Sequence, residues 1–315
     1  METEQLIAAI DQLRKEKDAL ILAHYYTTGD IQDIADYVGD SLALARKAAE
    51  TNAKIIVMCG VHFMGETAKI LCYDRKVLVP DMNAGCSLAD SCPAADFKTY
   101  VEAHPDYKVL SYVNTTAAVK AVTDIVVTSG NAVQIVESFP KDEKLIFGPD
   151  KNLGNYINSL TGRSMLLWNG ACHVHSQFSV EGIINLKKEH PDALILVHPE
   201  CKAPIIALGD IVGSTAKLIK ETEKSNAKEF IVATEWGILH ELTKRCPNKT
   251  FIPAPPDNNK TCGCSECNFM KLNTLEKIYN CLKNESPEIT VEKETADKAI
   301  VPIRRMLEIS KKLGL

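Results

Sequence analysis

The 315-residue chain has no apolar run long enough to span a bilayer. Its start, Met1 to Leu20, mixes acids and bases and lacks the apolar stretch that an export signal needs. There is no excess of positive charge either. Lys and Arg total 36 against 41 Asp and Glu, a net charge of −5, so nothing favours nucleic acid or an anionic membrane as a partner. These absences leave a cytoplasmic globular enzyme as the expectation, and 45% hydrophobic residues are enough to build its core. Stable disulfides are not expected in that reducing compartment. The eleven cysteines are therefore the feature to explain. Most read as small buried hydrophobes, and a few are left to bind metal.

Three cysteines, Cys262, Cys264 and Cys267, crowd into six positions behind the Pro-rich run Phe251 to Asn259. Soft ligands at that density point to a metal, a redox pair, or both. An internal repeat narrows the choice. After a helical pattern at Glu4 to Lys17, Ala19 to His24 reads as a buried strand. It is matched by Ala193 to His198 and, less closely, by Lys108 to Tyr112. Ser41, Ser129 and Thr215 each lie 17 residues past His24, Tyr112 and His198, and each opens a helix. Second strands follow at Lys54 to Cys59, Leu145 to Phe147 and Glu229 to Ala233. The period is 88 residues, then 86.

Self-similarity of that length means three supersecondary units. Alternating strands and helices make the fold class α/β, with three pseudo-threefold related αβα units, each a small parallel sheet, around a shared centre. The units are expected at residues 18–105 (after an N-terminal helix, 1–17), 106–191, and 192–287 with the Cys-rich insertion. A strand and helix at 288–315 would pack on the core. Right-handed crossovers put the strand C-termini on one side, where ligands of such sheets bind. His24, Tyr112 and His198 would then converge, with Ser41, Ser129 and Thr215 at helix N-termini that favour carboxylates or phosphate. The plainer reading is that these hydroxyls only cap helices.

Cys86 and Cys172 are 86 residues apart, and each precedes the proline of a His-Pro pair, Pro105 or Pro191, by 19. Cys267, 20 residues before Pro287, is the third equivalent, and Cys262 and Cys264 fall in the insertion. Three thiolates leave one position open on a four-iron cluster or on zinc, which marks a reactive metal rather than a structural one. Cys59, Cys72, Cys92, Cys201, Cys246 and Cys281 read as core. His104 and His190 read as helix C-terminal residues, and His62 as packing. His173 and His175 directly follow Cys172, so at least one of them is expected to face the metal loop. His198 and Glu200 form a candidate acid/base pair.

Several stretches together resemble one family. They are Ala23 to Tyr26, Asp40 to Ala43, Cys59 to Ala68, Pro80 to Pro93, Tyr112 to Asn114, Cys172 to His175, His198 to Cys201 and Gly213 to Thr215. Over nearly the whole chain they resemble quinolinate synthase, the A protein of NAD biosynthesis. The resemblance implies a cytoplasmic enzyme with an oxygen-sensitive [4Fe-4S] cluster on three cysteines, and three αβα units around it. It implies condensation of iminoaspartate with dihydroxyacetone phosphate to quinolinate, phosphate and water, and a transient contact with the enzyme that supplies iminoaspartate. Carried over by motif, the cluster ligands are Cys86, Cys172 and Cys267. His24, Ser41, Tyr112, Asn114, Ser129, His175, His198, Glu200 and Thr215 line the substrate cavity. Glu200, His198, Tyr112 and Tyr26, the last linked to proton transfer, are the catalytic set. Some members carry Cys-x-x-Cys-x-x-Cys before the third ligand, whereas this chain has Cys262-x-Cys264-x-x-Cys267. A Cys-x-Cys disulfide closes a strained ring, so the regulatory disulfide of such members is not expected. The rival readings are an aconitase-like hydro-lyase, a redox-sensing cluster protein, and a structural zinc site at Cys262, Cys264 and Cys267.

Overall fold

The computed structural model describes residues 2–257 and 265–314. The insertion cysteines Cys262 and Cys264, and the disulfide and zinc readings attached to them, lie outside the described residues. The first repeat runs α1 (Thr3–Glu16), β1 (Ala19–His24), α2 (Gly29–Ile34), β2 (Tyr37–Gly39), α3 (Ser41–Glu50), β3 (Ile55–Cys59), α4 (His62–Leu71), β4 (Lys76–Leu78), α5 (Ser87–Asp90) and α6 (Ala94–Glu102). The second runs β5 (Lys108–Tyr112), α7 (Ala117–Lys120), β6 (Ile125–Val127), α8 (Ala132–Glu137), β7 (Leu145–Gly148), α9 (Lys151–Thr161), β8 (Leu166–Leu167) and α10 (Val180–Glu189). The third runs β9 (Leu194–Val197), α11 (Ala203–Ile206), β10 (Ile211–Val212), α12 (Thr215–Lys224), β11 (Glu229–Ala233), α13 (Ile238–Arg245), β12 (Thr250–Pro253) and α14 (Leu275–Asn284), and α15 (Lys293–Lys312) follows.

Each repeat folds into one four-stranded parallel sheet: β2-β1-β3-β4, β6-β5-β7-β8 and β10-β9-β11-β12. The central strands are apolar runs because helices cover both faces, and all five residues of β3 are buried. The same polar side chain fixes each edge. Asp36, Asp124 and Asp210 each accept a hydrogen bond at 2.8 Å from the backbone N–H of Ile21, Val109 and Ile195. The sequence reading finds the first and third strands of each sheet and misses the outer ones. β2, β6 and β10 are only two or three residues long, too short for a period to register. The Pro-rich run is not all loop: its first residues complete β12, an edge strand, where proline costs no ladder bond. The strand expected past residue 287 reduces to one antiparallel bridge between Glu288 and Leu78 before α15 begins.

The helix after each cysteine loop leaves its own sheet. Phe97 of α6 packs against Val109 and Ile146 of the second sheet. Ile183 of α10 packs against Ile195 and Ile231 of the third. Ile278 and Leu282 of α14 return to Ile21, Ile55 and Val57 of the first. The exchange is cyclic, so the three cysteine loops are the crossovers between sheets and run past a common centre. Phe97 and Ile278 are fully buried, and truncating either to Ala costs about 2–5 kcal/mol. α15 packs on α4, α7 and β6 through Ala299, Ile303 and Met306, and so joins the first two repeats.

Candidate active site

In each sheet the chain leaves the first strand toward one edge and returns to the third strand on the other side. The loops after those two strands therefore part and open a crevice at their C-terminal ends. The three crevices face one another across one cavity, whose empty space, open solvent at the mouth included, is ≈ 700 Å³. Its walls bring together the residues that the family resemblance implies for the site: His24, Tyr26, Ser41, Cys86, Tyr112, Asn114, Ser129, Cys172, His175, His198, Glu200, Cys267 and Thr215. The repeat supplies them in register. His24, Tyr112 and His198 end the first strands or follow directly, and Tyr26, Asn114 and Glu200 lie two residues further on. Two of these steps share a turn, in which Tyr26 N–H and Glu200 N–H point at the Nδ1 atoms of His24 and His198, at 3.1 and 3.4 Å.

Glu200 is the hub and is 3% exposed. Tyr112 Oη donates to its Oε1 at 2.6 Å, and His175 Nδ1 lies 3.1 Å from its Oε2. Burial alone would raise the Glu200 carboxyl, but its contacts with His175 and Tyr112 outweigh burial and hold it below the usual carboxylate range. It is therefore ionised across the working pH range. Burial pushes His24 and His198 down to about 3 against the pull of Glu200, so both rings are neutral. Burial raises Tyr26 and Tyr112, which stay protonated. The cavity thus holds a fixed carboxylate, neutral imidazoles and phenols, a set suited to moving protons.

A second chain of bonds runs from the far wall. Tyr26 Oη lies 3.0 Å from Thr215 Oγ1 and 2.8 Å from Thr234 Oγ1, and Thr234 Oγ1 lies 3.0 Å from His175 Nε2. The tautomer that satisfies both ends of His175 has its proton on Nδ1, toward Glu200. Tyr26, Thr234, His175, Glu200 and Tyr112 then form one continuous hydrogen-bonded path through all three repeats. Thr234 escaped the sequence reading because a lone buried threonine after a strand has no signature. Position was the available signal, since it is adjacent to the third-strand end in the last repeat.

The helix ends are not bare. Ser41 and Thr215 open α3 and α12, but the half-buried Asp40 carboxylate accepts from Ala43 N–H at 3.0 Å. Ser214 Oγ accepts from Lys217 N–H. Ser129 sits in the turn ahead of α8, whose hydrogen bonding begins at Thr128. Much of the anion-binding capacity of these ends is therefore used within the protein. Two buried side-chain oxygens of cavity-lining residues remain unpartnered, Asn114 Oδ1 and Thr128 Oγ1. Thr128 was another omission from the sequence reading, although it lies one residue before Ser129.

Among the described cysteines, Cys86, Cys172 and Cys267 are partly exposed and the other six are buried. All three line the cavity. Burial raises each thiol, Cys86 to about 12, and mutual repulsion of the thiolates adds to this at Cys86 and Cys172. Three thiolates gathered here need a cation to hold them. A metal fits the centre on a second count. Cys172 Sγ, a His175 ring nitrogen and a Glu200 oxygen lie within 4.8 Å of one another, close enough to share one ion. Among the described residues the three thiols do not form such a group. A tetrahedral ion would hold its sulfurs roughly 3.8 Å apart. No helix of the described residues is long and apolar enough to cross a membrane.

Comparison with known proteins meets this geometry from the other side. A family profile described as Quinolinate synthetase A protein matches residues 8–308. The quinolinate synthase of Trichormus variabilis is 55% identical over 305 residues, which cover 97% of this chain and 94% of that protein. That of Trichodesmium erythraeum is 54% identical over 307 residues, 98% of this chain and 94% of the relative. That of Chloroherpeton thalassium is 52% identical over 306 residues, 97% and 95% of the two chains. The chain belongs to the quinolinate synthetase A protein family.

Proposed function

We propose that this protein is a quinolinate synthase of NAD biosynthesis, which condenses iminoaspartate with dihydroxyacetone phosphate and releases phosphate and two waters. The observation that carries the reading is one cavity in which three partly exposed thiols, one from each repeat, meet the Tyr26–Thr234–His175–Glu200–Tyr112 path. Cys86, Cys172 and Cys267 would hold a [4Fe-4S] cluster. Three thiols that do not gather as tightly as a single ion would hold them, with no fourth cysteine among the described residues of the cavity lining, suit a cluster with one open corner. When bound, that group supplies an electrophilic iron with a free coordination position.

The chain's own residues handle binding and protons. Phosphate departure and two dehydrations each need a proton moved to or from the reacting group. Glu200, ionised and 3% exposed, is the base. The Tyr112 hydroxyl already donates to it and would orient it, and His175 carries a proton between it and Thr234. Tyr26, at the far end of the path, would donate to the substrate, and the proton that Glu200 removes would return to Tyr26 through His175 and Thr234, with His175 passing through its opposite tautomer. The hydroxyls of Ser41, Ser129 and Thr215 would take the substrate carboxylates and phosphate. The orphaned Asn114 Oδ1 and Thr128 Oγ1 would accept from substrate N–H or O–H groups. The enzyme would work in the reducing cytoplasm, with a transient hand-over from the enzyme that makes iminoaspartate. An anaerobic assay tests the reading. Protein reconstituted with iron and sulfide should form quinolinate from iminoaspartate and dihydroxyacetone phosphate. Iron-loaded protein that consumes neither would refute it.

A further inference from the structure

The three cysteine loops are anchored by one shared device and one unequal device. The shared device is a backbone bond. His62 N–H, Lys151 N–H and Trp236 N–H donate to Ala84, Gly170 and Ser265 C=O at 2.7, 2.8 and 3.0 Å. Each acceptor lies two residues before Cys86, Cys172 or Cys267. The unequal device sits one residue before each donor, two residues past the third strand of the sheet. That position is Val61 in the first repeat, Asp150 in the second and Glu235 in the third. Asp150 is 0% exposed and Glu235 1%.

Both carboxylates divide their oxygens in the same way. Asp150 Oδ1 accepts from Asn152 and Leu153 N–H at the start of α9, at 2.6 and 3.0 Å, and Oδ2 accepts from Cys172 N–H at 2.9 Å. Glu235 Oε2 accepts from Gly237 N–H at 2.7 Å, just before α13, and Oε1 accepts from Cys267 N–H at 2.9 Å. Lys271 Nζ lies 3.0 Å from that same Oε1. One oxygen grips the rigid helix start and the other grips the cysteine's own peptide. Capping a helix needs only the first of these bonds. The second repeats across two units whose side chains differ in length, which a chance contact would not do.

We propose that Asp150 and Glu235 are positioning residues that latch Cys172 and Cys267 into register for the metal centre. The inference rests on the reading of those cysteines as cluster ligands. The latch occupies the N–H of each ligating residue with a buried, charge-capable acceptor, so neither loop swings when its sulfur lets go of iron. Outer partners of metal ligands typically change metal affinity by about 10- to 100-fold when removed.

The test uses anaerobically purified holoprotein and reads iron release to an excess of chelator, well below the unfolding temperature. Asp150→Asn and Glu235→Gln should each release iron about 10- to 100-fold faster than wild type. Glu241→Gln, a buried carboxylate paired with Arg245 away from the cavity, should release it at the wild-type rate. In wild-type holoprotein the Cys172 and Cys267 amides should also be protected from hydrogen exchange, which needs no variant to fold. Wild-type release rates in both latch variants, equal acceleration in Glu241→Gln, or freely exchanging amides would each overturn the latch while the cluster reading stands. Variants that only unfold at lower temperature, with iron release unchanged, would show helix capping alone and overturn it too. Wild-type protein that holds no iron-sulfur cluster would defeat both readings together.

Discussion

Glu200→Gln is the perturbation with the largest consequence for chemistry and the smallest for shape. The side chain keeps its volume in a site that is 3% exposed. Its two oxygens now face two donors, Tyr112 Oη at 2.6 Å and His175 Nδ1 at 3.1 Å. An amide offers one acceptor and one donor, so one contact becomes donor against donor. Losing that buried bond costs about 1–3 kcal/mol of stability, which a well-packed core tolerates. The rate suffers more. Without an ionised carboxylate the path from Tyr26 ends at a group that cannot take a proton. Removing a general base typically lowers kcat by roughly 10²- to 10⁴-fold, equivalent to about 3–5 kcal/mol of barrier. The assay is anaerobic quinolinate formation under saturating substrates, with the visible absorbance of the proposed cluster recorded on the same sample. Turnover within about threefold of wild type, cluster retained, would refute the role given to Glu200.

Thr234→Val keeps the shape of the side chain and cuts the path between Tyr26 and His175. It should lower kcat about tenfold or more with little change in KM, and unchanged kcat would show that protons travel elsewhere. Lys120, 0% exposed, donates to the carbonyls of Val113 (2.8 Å) and Thr115, and its replacement by Met should cost about 1–3 kcal/mol in chemical unfolding. Burial pushes Lys120 down to about 8, against the pull of Glu66 and Cys86, so between that pH and the usual lysine range the unfolded chain binds more protons than the folded one. The stability of wild type relative to Lys120→Met should therefore rise as pH climbs through that window, and a flat difference would contradict the burial argument.

The repeat made most of the centre legible in the sequence. His24, Tyr112 and His198, the three hydroxyls and the three cysteines could be paired by counting, because a parallel sheet returns the same position to the same edge. The same count, pushed further, finds more. Gln32 and Lys120 are 88 residues apart and bond the same two carbonyls in their repeats, Tyr25 and Thr27 in the first, Val113 and Thr115 in the second. The third repeat has Ile206 there, so the device is not universal and a motif search would pass over it. Other features have no local signal. β8 and β10 are two residues long and exist because a neighbouring strand pairs with them. The exchange of α6, α10 and α14 between sheets is set by which apolar face meets which, and each helix reads alike whether it stays home or crosses. Asp150 and Glu235 act on peptide N–H groups far along the chain, a partnership that residue type alone does not announce.

The central claim is that Cys86, Cys172 and Cys267 jointly hold an iron-sulfur cluster. Its most direct test is an iron and acid-labile sulfide count on anaerobically purified wild type and on single Cys→Ala variants at 86, 172, 267 and, as a buried control, 281. The account predicts about four irons and four sulfides per chain in wild type and in Cys281→Ala, with loss in each of the other three. Zinc in place of iron in the wild type, or a full complement retained after removal of any one of the three thiols, would contradict it.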